Sequence, residues 1–209
     1  MSRIHPKPAA RILAWRPSAA EYGPVIDSVL AAFRPRILAA ARERAEAPFL
    51  LSELLRQAPE RRELLVRNSR RFLSFALCGL LLERSCQESA AAPRQGERLA
   101  ALALVVADSL DPAWYGDRLL ADARARCCAL IADARRVAGD LPGAEEALQA
   151  AESHLRQGMG DPLERARLLA FKAALLRAQR RSGEAASLFR RADARVDPQE
   201  DPSAGGSCA

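Results

Sequence analysis

Ser153 and His154 stand side by side, as close as this chain brings a nucleophile to a base. Adjacent residues on a helix do not face a common point, and a histidine near a helix C-terminus is favoured by the helix dipole alone. His5 is far away in the sequence. Asp111, Asp117 and Asp122 are the acids a metal ion would use, but Asp111 precedes Pro112, as a turn cap does. The five cysteines, Cys78, Cys86, Cys127, Cys128 and Cys208, form no CxxC and have no histidine near any pair. They read as small apolar packers inside helices plus one tail thiol, in a reducing compartment. No GxxxxGK[ST], GxGxxG, HExxH or GxSxG occurs. Nucleophile, base and stabiliser are nowhere gathered, which predicts no catalytic residue, no metal and no cofactor.

What remains with chemical character is arginine. Of 32 basic residues only Lys7 and Lys172 are lysines, leaving 30 arginines in a chain of net charge +6. Residues 1–72 hold 14 basic and 7 acidic side chains, whereas residues 73–209 hold 18 and 19, so the excess lies in the first third. Arg56, Arg61, Arg62, Arg67, Arg70 and Arg71 are concentrated there. A basic segment attracts nucleic acid or an acidic protein, but no nucleic-acid motif or interleaved aromatic residues accompany it. Nucleic-acid contact by this third is therefore the second reading, behind protein binding.

The elements that position these arginines must be helical. Alanine (44) and leucine (30) dominate, while valine, isoleucine and threonine total 12, the reverse of what strands favour. Residues 1–17, with three prolines, read as a flexible lead without a signal peptide. Ser18–Glu21 matches a capping box. Val25, Ile26, Val29, Leu30 and Phe33 form an apolar stripe that Ile37, Leu38 and Ala41 continue. Pro24, Pro35 and Pro48 are expected to interrupt this region. Leu50, Leu51, Leu54 and Leu55 are expected in the core, and Asn68-Ser69 is expected to cap a helix over 70–89. Pro93 opens a helix to Leu110, with further helices over 114–138, 141–157, 162–181 and 183–196, and a disordered tail over 198–209. No apolar run approaches the length of a membrane span.

These helices repeat. Gly139 and Asp140 mark a turn, with small residues at Ala132, Ala144 and Ala151 and the large apolar Leu148 between. A second copy closes on Ala173, Ala185, Phe189 and Ala192, with Arg180–Gly183 replacing the turn. A weaker first copy places Gly96, Ala100 and Ala103, with Arg84 at the position that should be small. Small residues at a crossing let two helix backbones meet. The segment over 138–152 resembles the turn and second helix of a tetratricopeptide repeat. Leu64–Phe72, Leu80–Glu83 and Arg135–Asp140 are similar to segments of uncharacterised bacterial repeat proteins, in which such segments accompany regulatory modules. The resemblance covers residues 69–196. It implies an all-α, right-handed α-solenoid of antiparallel helix pairs, preceded by a basic helical extension over 18–68.

In a stack of helix pairs the first helix of each pair lines the concave side. That side receives Arg126, Ala129, Asp133, Arg136 and Val137, then Arg167, Ala170, Ala174, Arg177 and Ala178. Arginines recur at matching places, and a guanidinium grips a carboxylate with two parallel bonds. The expectation is a non-enzymatic adaptor or regulatory protein of the bacterial cytoplasm, binding an acidic segment of a protein partner in that groove. The array ends on Gly183–Val196 without a polar capping helix, which predicts self-association there.

Overall fold

A computed structural model describes the backbone over residues 19–196. The expected capping box at Ser18, the lead and the tail lie outside the described residues. Among those described there is no strand. The helices are α1 (Ala19–Leu55), α2 (Pro59–Asn68), α3 (Phe75–Ser89), α4 (Pro93–Ser109), the single turn α5 (Pro112–Tyr115), α6 (Asp117–Val137), α7 (Leu141–Gln157), α8 (Pro162–Ala178) and α9 (Ser182–Val196).

Local chemistry sets most of these boundaries. Pro59, Pro93, Pro112, Pro142 and Pro162 sit in first turns, where the missing N–H has no partner to lose. Ser74, Asp111, Asp140 and Asp161 accept bonds from the backbone N–H groups of Leu77, Ala113, Gly143 and Leu163.

Three expectations about boundaries are corrected. Pro24, Pro35 and Pro48 do not interrupt: α1 runs through all of them. Each ring removes one backbone bond, and the alanine, leucine, arginine and glutamate around it keep the helical path. Ser74, not Asn68-Ser69, caps α3, and a 3₁₀ turn over Arg70–Phe72 precedes it. The helix expected over 114–138 is broken at Gly116, whose φ of 89° only glycine adopts freely.

The chain divides into two compact units, before and after the Ala41–Arg42 bond. In the first, the N-terminal half of α1 carries an exposed apolar stripe of Ile26, Val29, Leu30, Phe33, Ile37 and Leu38. In the second, α3 packs on α4, α6 on α7 and α8 on α9, while α4 meets α6 and α7 meets α8. The main core gathers Leu54, Val66, Phe72, Leu77, Leu81, Leu99, Val106, Leu148 and Leu155. It begins at Ala47, so the end of α1 and all of α2 belong to the packed unit, and the expected boundary at residue 69 falls inside it.

Small residues sit at the crossings. Ala132, Ala144 and Ala151 are at most 2% exposed, and Ala173 and Ala185 are also buried, as is Leu148. The side chains of Phe189 and Ala192 lie outside those described. At the α3–α4 crossing, the place assigned to Arg84 is corrected to Ser85: it is fully buried and its hydroxyl donates to the Gly96 carbonyl at 2.8 Å, while Arg84 faces water. Gly139 (φ 87°) and Arg180 (φ 62°) each close a helix in the left-handed conformation. Asp140 N–H bonds Arg135 O at 2.9 Å, and Arg181 N–H bonds Leu176 O at 2.8 Å, the same six-residue closure twice.

Polar ties reinforce the packing. Arg135 on α6 donates to Glu97 on α4 (2.7 Å) and to the Gly143 carbonyl on α7 (3.1 Å). Glu43, late in α1, accepts from the Tyr115 hydroxyl (2.6 Å), the Phe75 N–H (3.1 Å) and the Ser74 hydroxyl (3.2 Å). Phe75 stacks on Tyr115, so α5 is pinned by its tyrosine.

Candidate functional site

A cavity of about 430 Å³ opens between α3, α6, α7 and α8. Its volume lies in the range of pockets that hold small ligands or an anchoring side chain. Leu82, Leu130, Leu155, Leu168 and Phe171 supply an apolar lining, and Ala125 and Ala129 leave it open where larger side chains would fill it. Those alanines face inward because α6 turns its small residues along one side, three to four apart.

Arg126 and Arg167 stand at this cavity and converge on one carboxylate. Arg126 Nε donates to Glu164 Oε2 at 3.3 Å and its Nη2 to Oε1; Arg167 Nη1 donates to Oε1 at 3.0 Å. Glu164 is 7% exposed, whereas the two arginine side chains remain about half exposed. The bond to Glu164 raises the Arg126 pKa above its ordinary value, against the opposing effect of burial. Two cations on one anion leave this trio with one net positive charge, and Glu83 on α3 is a second acid in the cavity lining.

The other expected site residues are placed differently. Asp133 and Arg136 bond each other on one turn of α6 (2.7 and 2.9 Å) and do not line the cavity. Arg177 is exposed at the end of α8, also away from it. Glu164, Phe171 and the α3 residues Leu82 and Cys86 are lining groups that sequence reasoning missed. For Glu164 a signal was present: it is an acid in the first turn of its helix, three residues before Arg167. Its longer reach to Arg126, 38 residues earlier, had none.

Three of the six arginines clustered over 56–71 are engaged within the chain. Arg62 donates to the carbonyls of Leu55 and Gln57 and so closes α1. Arg67 pairs with Glu63, and Arg71 pairs with Glu53 while lying over the Phe72 ring.

Cys78, Cys127 and Cys128 are buried and free, and Cys86 is exposed at the cavity. A bond with Cys78, together with burial, pushes the Cys127 thiol well above the usual range. Asp111 caps α5, and Asp122 accepts from the Met159 N–H at 3.0 Å, holding the turn between α7 and α8. Among the described residues no group of three or more histidine, cysteine, aspartate or glutamate side chains could hold a metal. Nor is any described helix long and apolar enough to cross a membrane. No family model matches the chain, and no curated protein or solved structure was found to be similar to it.

Proposed function

We propose that this chain is a non-enzymatic protein-interaction module, a right-handed tetratricopeptide-like stack acting as an adaptor or regulator in the bacterial cytoplasm. The observation that carries this reading is the open cavity lined by α3, α6 and α8, the first helices of three packed pairs, with Leu155 of α7 beside them and two arginines in its wall. The repeated left-handed closures at Gly139 and Arg180 support the serial arrangement.

The partner segment places an apolar side chain among Leu82, Leu130, Leu168 and Phe171 and a carboxylate beside Arg126 and Arg167. A segment with several acids is a poorer match than one apolar anchor with one carboxylate, because Glu164 already takes up one of the two positive charges.

The test uses fluorescent peptides ending in Leu or Phe, each with a free or an amidated C-terminus, against the full chain. The free-carboxylate forms should bind more tightly, and Arg126→Glu with Arg167→Glu should abolish the difference. Bound peptide should also slow alkylation of Cys86, resolved from Cys208 by peptide mapping. Capture of cellular partners that is unchanged by the double substitution would overturn the groove. Strongly salt-sensitive binding to RNA instead would favour the basic N-terminal third as the functional surface.

A further inference from the structure

We propose that a second copy of this chain pairs with the N-terminal half of α1, the two helices running antiparallel. This surface is separate from the cavity and stands without it. Ile26, Val29, Leu30, Phe33, Ile37 and Leu38 are each 50–62% exposed and form one continuous apolar stripe. Patches of this kind mark contact surfaces. Ile26, Leu30, Phe33 and Ile37 are separated by steps of four, three and four, the rhythm of a coiled-coil seam. Pro24 and Pro35 fall on outward positions of that seam, where their rings stay clear of the packing.

Charge sets the orientation. With the twofold axis between Ala31 and Ala32, Ile26 meets Ile37 of the second copy and Leu30 meets Phe33 of the second copy. Each layer then joins the two different seam positions, as antiparallel pairing requires. The same register sets Asp27 beside Arg34 of the second copy, twice by symmetry. A parallel pair would put Val29 against Arg34 and Arg36 against Ala41, gaining no ion pair. At about 100 Å² for each of the five side chains at or beside the seam, the contact covers about 1,000 Å² over both copies, the size of a weak, exchanging interface. Most helical stability in proteins comes from packing an apolar face, so pairing also supplies stability that the prolines remove.

Sedimentation equilibrium of the full chain over about 1–100 µM should show monomer and dimer in exchange. Leu30→Glu with Phe33→Glu should leave monomer alone. Because those changes also disturb the helix, charge exchange provides the second arm. Asp27→Arg or Arg34→Asp alone should weaken the dimer about tenfold, and the two together should restore it. A chain that is monomeric throughout, or a dimer indifferent to the glutamate substitutions, overturns the pairing. A combined charge variant no tighter than its single variants overturns the antiparallel register.

Discussion

Arg180 makes, 41 residues later, the left-handed turn that Gly139 makes at the end of α6. Both are followed by an N–H that reaches back five residues to close the helix, to Arg135 in one case and Leu176 in the other. The first site carries the residue that suits this backbone, and the second carries one whose Cβ crowds the following carbonyl.

Arg180→Gly should therefore stabilise the chain by about 0.5–1 kcal/mol, and Gly139→Ala should destabilise it by a similar amount. Urea unfolding of both variants checks this. Opposite signs at the two turns are expected, whereas equal signs would separate the turns and break the repeat.

Gly96 has no room for a side chain. A Cβ there would overlap the Ser89 hydroxyl and lie 2.9 Å from the Ser89 Cα, which is backbone and cannot swing away. Gly96→Ala should prise α3 from α4 and cost about 2–3 kcal/mol, seen as a lower thermal midpoint. A neutral result would mean that the two helices cross elsewhere.

Tyr115 is a pH-sensitive tie. Burial first, then its bond to Glu43, raises the phenol pKa above its ordinary 10.0. Between the two values the folded chain keeps a proton that the unfolded chain releases. Its contribution is thus complete below the unfolded pKa and is lost as pH rises through the folded one. Stability should fall above about pH 10, and Tyr115→Phe should flatten that fall. Absorbance titration of the folded protein should find one of the two tyrosines ionising late.

Glu164→Gln removes the charge shared by Arg126 and Arg167. Stability should drop by about 1–2 kcal/mol, while a peptide with a free C-terminal carboxylate should bind about fivefold more tightly to the released guanidiniums. Calorimetry on the variant measures both. Tighter binding with lower stability is the expected pair of results, and weaker binding would make Glu164 a direct partner contact.

Much of this architecture is legible in the residues. Proline in first turns locates α4, α7 and α8, aspartate before it marks the last two, and small residues at fixed spacing locate buried Ala132, Ala144 and Ala173. Where reading failed, distant or cooperative effects decided. The prolines of α1 are overruled by the helix formers around them. Gly116 splits a helix because Tyr115 is drawn to Glu43, 72 residues away. With 30 arginines, sequence alone could not say that Arg126 and Arg167 would share Glu164.

Ala173, Leu176 and Ala185, edged by Leu188, form a cluster apart from the main core. Because this cluster on α8 and α9 is separate from the main core, an opening of α9 would leave that core intact. Its release bares one flank of α8, the helix that carries Arg167 and Phe171 to the cavity. Loosening at this end of the chain would therefore reach the cavity through α8 alone, because no described residue of α9 lines it.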